Sequence, residues 1–454
     1  MKSFKIIVAV FVIFNLLSCK KWLDVRPKSE IDERVLFSTQ DGFDQALTGV
    51  YIKMAAPQLY GDNLTLSFID VLSQNYQVTS TSNIYYPASQ YDYTNQSVRS
   101  TLDIVWGQMY NAIWHLNNIL ANLDGNKAIF NNGRFNLYKG EVLALRAYMH
   151  FDLLRLFGPV YSIDSAKLAI PYLKLPLARI SSRISASSVM NSIISDLREA
   201  DALMGSDPIL SSSALTTIRE RQNKMNALAV KGTLARVLMY RGSTEDKASA
   251  LLLSQSVINS NVLRFVSNND IINGRDKTFN TEHLFSMKSQ QLPDQVNIHF
   301  IPGAPQLLTN DINVIRQTFE VSSSGSVDYR YTYLWENTGT VFLNRKYTNE
   351  LYVPLLRLSE MYYIAAECES SNPSVATNYL NVIRANRAVT PLSSLNTTQV
   401  LSEIFKEYKK EFIGEGQLLY YYKRLNRPSI DGTSKNTTEV YNIPLPANEI
   451  EFGN

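Results

Sequence analysis

Two tyrosine-rich tracts carry the side chains best suited to contact a ligand. The first is QNYQVTSTSNIYYPASQYDYTNQS, residues 74–97, and its candidate contacts are Asn83, Tyr85, Tyr86 and Tyr91. Sugar rings present C–H faces that stack on aromatic rings, and side-chain amides bond sugar hydroxyls. The composition therefore indicates an oligosaccharide site. The alternative is that these residues pack on the rest of the fold or contact a partner protein.

The second tract is DYRYTYLWEN, residues 328–337, in which aromatic residues occupy every second position from 329 to 335. This alternation predicts an extended strand whose aromatic side chains all lie on one face. Tyr333 and Trp335 are its candidate ligand contacts. The alternative is that this face belongs to the hydrophobic core.

Motifs typical of enzymes are missing from the sequence. The four histidines stand far apart, at positions 115, 150, 283 and 299, with no HExxH or CxxC spacing. No GxSxG, P-loop or GxGxxG motif stands in the required context. We therefore predict no catalytic residue, no cofactor and no metal. A glycoside hydrolase is the less favoured alternative, since its two carboxylates can be distant in the chain.

The overall charge argues against a nucleic-acid partner. The chain has 454 residues, a net charge of +3 and no long basic run. Its hydrophobic content of 45% is enough for a sizeable core.

The first residues are typical of an export signal rather than of the fold. Two lysines precede an apolar run that is shorter than the roughly 20 residues of a spanning helix. The following LLSC resembles a bacterial lipoprotein cleavage box. We predict a signal peptide over residues 1–18, lipidation of Cys19, and a tether over residues 19–36. With Cys19 acylated, Cys368 stands alone and no disulfide forms.

The segment GEVLALRAYMHFDLLRLFGPV, residues 140–160, predicts a helix that is apolar over most of its surface. Lys139, Arg146 and His150 share one narrow stripe, and Gly158 with Pro159 ends the helix. Such a helix must be surrounded by others, so we place it inside a helical stack.

Other segments predict helical pairs. Residues 226–240 with 246–258 and residues 355–368 with 375–387 resemble tetratricopeptide units in size, without a strict 34-residue repeat. A late amphipathic helix should bury Leu401, Ile404, Phe405, Tyr408 and Phe412, with its Glu and Lys residues outside. EHLFSMK and VFLNRKYT predict strands.

Several short stretches form an ordered series along the chain. They are, in chain order, Cys19 with Trp22-Leu23-Asp24 and Pro27, Phe37-Ser38-Thr39, Ala46-Leu47-x-Gly49-x-Tyr51, Trp106 through Asn118, the 140–160 segment, Asp328-x-Arg330, Lys346-Tyr347, Arg357-x-x-Glu360, Ala366-Glu367, Leu380-Asn381-x-x-Arg384, Glu411-Phe412, Gly414-Glu415-Gly416, and Ile443-Pro444-x-Pro446-x-x-Glu449-Ile450. The series spans nearly the whole mature chain, and it resembles the SusD/RagB family of outer-membrane nutrient-binding lipoproteins.

The resemblance implies a mainly α fold, a superhelical array of TPR-like helix pairs with an irregular region of loops and a few short strands. Residues 37–454 would form a single domain, with ligand-binding loops at about 60–100 and 262–352. It also implies a binding protein at the cell outer membrane, facing the extracellular side. This protein would pass an oligosaccharide to a SusC-like TonB-dependent transporter. A peptide-binding member of the family and a TPR-like protein scaffold are the alternatives.

One departure from the family concerns the residues before Gly414. The family often has an ERR-x-EL stretch there, whereas this chain has EYKKEF, residues 407–412. Lysine lacks the planar fork of arginine, so we expect any buried ion pair there to be weaker or rearranged.

Overall fold

The structure is a computed structural model that describes residues 33–131, 133–177 and 181–452. The predicted signal peptide, Cys19 and most of the tether lie outside these residues. The helices are α1 (Glu33–Leu36), α2 (Gln40–Met54), α3 (Phe68–Leu72), α4 (Tyr86–Ser89), α5 (Gln96–Leu123), α6 (Arg134–Phe157), α7 (Ala186–Leu203), α8 (Leu215–Gln222), α9 (Ala227–Arg241), α10 (Thr244–Asn259), α11 (Asn268–Ile272), α12 (Leu292–His299), α13 (Ile312–Thr318), α14 (Tyr329–Leu334), α15 (Leu358–Cys368), α16 (Pro373–Ala385), α17 (Thr397–Glu411), α18 (Leu418–Arg424), α19 (Thr437–Tyr441) and α20 (Ala447–Phe452).

Strands are few and short, and they form two antiparallel pairs. The strands are β1 (His283–Lys288), β2 (Trp335–Asn337), β3 (Phe342–Asn344) and β4 (Tyr352–Arg357). β1 pairs with β4, and β2 pairs with β3. No helix in the described part of the chain is both long and apolar enough to cross a membrane.

The long helices pack in a continuous array, as the helical periodicity predicts. α2 packs on α5, α5 on α6, α6 on α7, α7 on α9, α9 on α10, α10 on α15, and α15 on α16 and α17. The two predicted hairpins are α9 with α10 and α15 with α16. Ser243 begins α10 with a capping box, because its hydroxyl accepts from the Asp246 N–H while the Asp246 carboxylate accepts from the Ser243 N–H.

α6 is the buried helix that the 140–160 segment predicts. Every residue from Gly140 to Phe157 is buried. Arg146 links α6 to its neighbour α7, because its Nε donates to Asp196 at 2.7 Å. Its Nη1 also donates to the side chain of Asn117 on α5 at 2.9 Å. One guanidinium thus fixes three helices of the array.

His150 on α6 is held in its neutral form. Its Nδ1 donates to the Arg146 carbonyl at 2.9 Å, and its Nε2 accepts from the Leu173 N–H at 3.0 Å. A second ring proton would face another N–H group. Burial lowers the pKa of His150 to about 3, far below its ordinary value.

We expect His150 to make the fold sensitive to mild acid. In the unfolded chain the imidazole takes a proton near pH 6.5, whereas in the folded chain it stays neutral down to about pH 3. Stability from this group is therefore complete above pH 6.5 and is lost as the pH falls. At pH 5 the loss is about 2 kcal/mol. Urea unfolding of wild type and His150→Gln at pH 7.5 and pH 5 measures it. Equal pH dependence in both proteins would contradict this assignment.

The strand predicted for the second aromatic tract is wrong. Residues 329–334 form the short helix α14, and only Trp335 begins a strand. Asp328 begins the helix, because its carboxylate accepts from the Arg330 N–H at 2.8 Å. Tyr329 and Tyr333 then meet as an i, i+4 pair with ring centroids 5.8 Å apart, while Tyr331 packs against Phe319. The aromatic residues therefore do not share one face.

Two features of the late chain also differ from the prediction. On α17, Leu401 is exposed, whereas Glu407 and Glu411 are buried, because arginines from other elements surround these carboxylates. Residues 352–357 form the strand β4 instead of the beginning of a helix. Ile404, Tyr408 and Phe412 are buried as predicted.

Candidate functional site

The two loop regions, 60–100 and 262–352, lie against each other although more than 200 residues separate their contacts. The Gln77 N–H donates to the Thr309 carbonyl at 2.8 Å. The Asn83 side chain donates to the Leu307 carbonyl at 2.9 Å, and the Asn310 side chain donates to the Asn75 carbonyl at 2.5 Å. These hydrogen bonds fix one loop region upon the other.

Most of the predicted ligand-contact residues in the first tract are buried and contact other parts of the protein. Tyr85 and Tyr91 are each only 6% exposed. The Tyr85 hydroxyl donates to Ser67 at 3.1 Å, and the Tyr91 hydroxyl donates to the Leu72 carbonyl at 3.0 Å. Asn83 is also buried, and Tyr86 is half-buried. Among these residues, Tyr86 offers the most surface to a ligand, and its role stays a prediction.

The two candidate residues of the second tract differ in how much of the side chain is exposed to solvent. Tyr333 is half-buried, and Trp335 is only 8% exposed. The Trp335 ring meets Phe342 edge-on, with centroids 6.4 Å apart. The Trp335 side chain is therefore largely covered by the fold. Its contact with a ligand also stays a prediction.

A cavity of about 730 Å³ lies where the two loop regions meet α17. Six candidate contacts from the sequence, Asn83, Tyr85, Tyr86, Tyr91, Tyr333 and Trp335, are absent from its lining. The lining residues are Ser73, Gln74, Asn75, Asn310, Val314, Ile315, Gln317, Thr318, Glu320, Ser402, Phe405, Lys406, Lys409, Ile413, Tyr422, Arg427, Asp431 and Gly432. They come from the 73–75 turn, α13 and its flanks, one face of α17 and the turn after it, and α18 with the segment that follows it.

The cavity offers side-chain amides, hydroxyls and aromatic rings. Gln74, Asn75, Asn310 and Gln317 supply both donors and acceptors of hydrogen bonds. Phe405 supplies a half-buried ring. This combination suits a ligand with many hydroxyl groups and apolar ring faces.

Ion pairs hold most of the charges in the cavity. Lys406 lies 2.9 Å from Glu320, and Lys409 lies 2.6 Å from Asp431. Partial burial raises the pKa of Glu320, but hydrogen bonds from Lys410 and Lys406 outweigh burial and lower it overall. Glu320 is therefore an anion at neutral pH that two lysines already neutralise.

Glu411, the last residue of α17, is the centre of a buried ionic cluster. Its carboxylate accepts from Arg330 at 2.8 Å and from Arg357 and Arg387 at 2.6 Å each. Burial raises the pKa of Glu411, but the three guanidinium groups outweigh burial and hold it well below its usual range. The lysines of EYKKEF take no part in these contacts of Glu411, and Lys410 instead pairs with Glu320 at 2.6 Å. The buried partners of Glu411 are therefore arginines from other parts of the chain, and the weakening or rearrangement expected from the EYKKEF departure stays a prediction.

The first loop region contacts the turn that follows Glu411 through Asp70. This buried carboxylate accepts from the N–H groups of Gly414 and Gly416, the latter at 3.0 Å. A Cβ at Gly416 would lie 2.0 Å from the Leu64 carbonyl oxygen, and its φ is +65°, so only glycine fits this approach. In the described part of the chain, no group of three or more His, Cys, Asp and Glu residues could hold a metal ion.

Sequence reasoning missed the contribution of α17 to the cavity. Ser402, Phe405, Lys406 and Lys409 follow the i, i+3, i+4, i+7 spacing of one helix face. This spacing was visible in the sequence, but the same helix has a stronger apolar pattern on its core side. Residues 73–75 and 310–320 pack near that face of α17. No local pattern in the sequence predicts this packing, because these segments are far from α17 in the chain.

The sequence matches two family models. Residues 21–239 match a SusD-like model described as starch-binding and associating with the outer membrane, and residues 309–450 match the model of the SusD family. SusD-like protein P25 of Formosa agariphila is 26% identical over 212 residues, which cover 45% of this chain and 39% of that protein. SusD-like protein P38 of the same organism is 27% identical over 306 residues, covering 65% and 54%. The chain thus spans about half or less of the length of these curated relatives.

The fold agrees with solved structures. A SusD-like carbohydrate binding protein from Bacteroides vulgatus superposes with a TM-score of 0.74 at 18% identity, covering 92% of this chain and 97% of that chain. The two family models fall in the two halves of the sequence, and the helical array agrees with this structure. This chain belongs to the SusD/RagB family.

Proposed function

We propose that this chain is an outer-membrane lipoprotein that binds an oligosaccharide outside the cell and passes it to a SusC-like TonB-dependent transporter. Membership of the SusD/RagB family supports saccharide binding and association with the outer membrane. The sequence around Cys19 supports a lipid anchor. The proposed role is binding without catalysis.

The cavity at the junction of the loop regions and α17 is the observation that carries this proposal. Its volume of about 730 Å³ is within the range of small-molecule sites, roughly 300–1,000 Å³. The amides of Gln74 and Gln317 could bond sugar hydroxyls, and the part of the Phe405 ring that its neighbours leave uncovered could pack against the sugar. We therefore place the saccharide site in this cavity.

Filling the cavity should weaken saccharide binding. Ser402 is exposed on α17 and lines the cavity, so Ser402→Trp would put an indole where the ligand lies. We expect calorimetric titration to show affinity for the best-bound oligosaccharide reduced by about tenfold or more. Ser195→Trp on α7 is the matched control, because Ser195 is also exposed on a helix and does not line the cavity. Its affinity should equal that of wild type.

The aromatic residues predicted from the sequence give the competing location. If Tyr86→Ala or Trp335→Ala weakens binding while Ser402→Trp does not, the saccharide lies at the aromatic tracts and the cavity assignment is wrong. A transporter gene directly upstream would support the delivery step, and its absence would count against that step.

A further inference from the structure

One cation in the cavity lacks an anionic partner. Lys406 and Lys409 have carboxylates within 3 Å, as described above. For Arg427, no carboxylate of the described residues lies within salt-bridge distance of the guanidinium. Its Nε lies out of contact with solvent and has no hydrogen-bond acceptor among the same residues. The lining therefore contains one positive charge that no carboxylate of the described residues neutralises.

The Arg427 side chain is held in place by stacking. Its guanidinium carbon lies 3.8 Å from the centre of the Phe405 ring, which packs in turn beside Tyr421 and Tyr422. The backbone N–H of Arg427 donates to the Tyr422 carbonyl at 3.1 Å. Pro428 follows and restricts the backbone of Arg427. Stacking covers a face of the guanidinium, while hydrogen bonds form at its edge.

A preorganised guanidinium without a partner is suited to an anionic group on the ligand. Its donors form a fork that matches two oxygens of a carboxylate, and charge-assisted hydrogen bonds of this kind are about twice as strong as neutral ones. A neutral sugar would use the amides of the cavity and leave this fork without an anionic partner. An acidic sugar would use both.

We propose, on the basis of the function proposed above, that the saccharide bound in this cavity carries a negative charge, either a uronic-acid carboxylate or a sulfate ester, in contact with Arg427. The sugar ring would lie near Phe405 and the amides of the cavity. The Arg427 side chain is then a specificity-determining residue that favours acidic over neutral oligosaccharides.

Matched pairs of ligands test this assignment. Oligogalacturonate and its methyl ester differ in the carboxylate charge and in the ester methyl groups, and a galactan oligosaccharide and its sulfated form differ in the sulfate. We expect calorimetry at low salt to show the acidic member of one pair bound about tenfold more tightly than its neutral partner. The pair that shows the preference identifies the anionic group. Raising the salt concentration should reduce the preference.

Two variants separate contact by Arg427 from a general effect of charge. Arg427→Met keeps an apolar stem over Phe405 and removes the fork, so the preference for the acidic member should disappear. Arg316→Met makes the same change of charge at an exposed residue of α13 that does not line the cavity, and the preference should persist.

The outcomes distinguish the two proposals. Equal affinity for acidic and neutral members in both pairs, or an unchanged preference in Arg427→Met, would overturn the role of Arg427 and leave saccharide binding intact. Failure of all neutral and acidic saccharides to bind wild type would overturn the proposed function itself, and the inference with it.

Discussion

Replacing Glu411 with glutamine should lower the free energy of unfolding by about 3–5 kcal/mol, as is typical when one partner of a buried ion pair is lost. The substitution keeps the size of the side chain but removes the anion that Arg330, Arg357 and Arg387 share. Arg357 and Arg387 would retain Glu282, at 3.6 and 2.7 Å, so the cluster would be weakened rather than dispersed. Urea unfolding followed by circular dichroism measures the loss.

A surface ion pair provides the control for this experiment. Glu336 pairs with Arg345, but its side chain is 48% exposed. Water screens such a pair, so Glu336→Gln should cost less than about 1 kcal/mol. If Glu411→Gln costs no more than Glu336→Gln, the buried cluster does not stabilise the fold in the way its geometry indicates.

Replacing Cys19 with alanine should move the protein from the membrane fraction to the soluble fraction. A single acyl chain gives only marginal anchoring, so stable attachment needs the two or more chains that lipidation at Cys19 would supply. Under the proposed lipidation, no anchor would form without that cysteine. Detergent phase separation of extracts from a host that lipidates proteins but lacks the transporter measures the redistribution.

Cys368 is the matched control for the anchor. Burial first, and then the nearby Glu367 carboxylate, raise the pKa of its thiol to about 12, so it remains a thiol at neutral pH. Its sulfur lies 3.4 Å from that of Met239. Cys368→Ala should stay in the membrane fraction. Continued membrane attachment of Cys19→Ala would show that the anchor lies elsewhere.

The helical array could be predicted from the sequence because its signal is local and repeated. The 140–160 segment places apolar residues around most of a helix, and Gly158 with Pro159 ends it. Such a pattern persists through several helical turns, so the prediction of a helix does not depend on the propensity of any one residue. The six residues of α14 are too few to show helical periodicity over several turns. Their alternation is compatible with a strand, but the cap of Asp328 and the buried contacts of Arg330 favour a helix.

The site was harder to predict for two physical reasons. Tyrosine serves both as a ligand contact and as a core residue with a hydroxyl that needs a partner, and the side chains of Tyr85 and Tyr91 are buried with their hydroxyls bonded within the fold. The cavity also joins segments that are hundreds of residues apart, such as Gln74 and Arg427. Buried Glu407 and Glu411 show the same limit, since their arginine partners come from α14, β4, α16 and the turn after α16.

Titration of the mature chain with a panel of neutral and acidic oligosaccharides, followed by analysis of the sugars, tests the central claim most directly. The proposed role of binding without catalysis predicts saturable heat with at least one saccharide, and recovery of that saccharide unchanged. Absence of binding to every saccharide would contradict the claim. Appearance of shorter sugars would contradict it as well, and would identify the chain as a hydrolase.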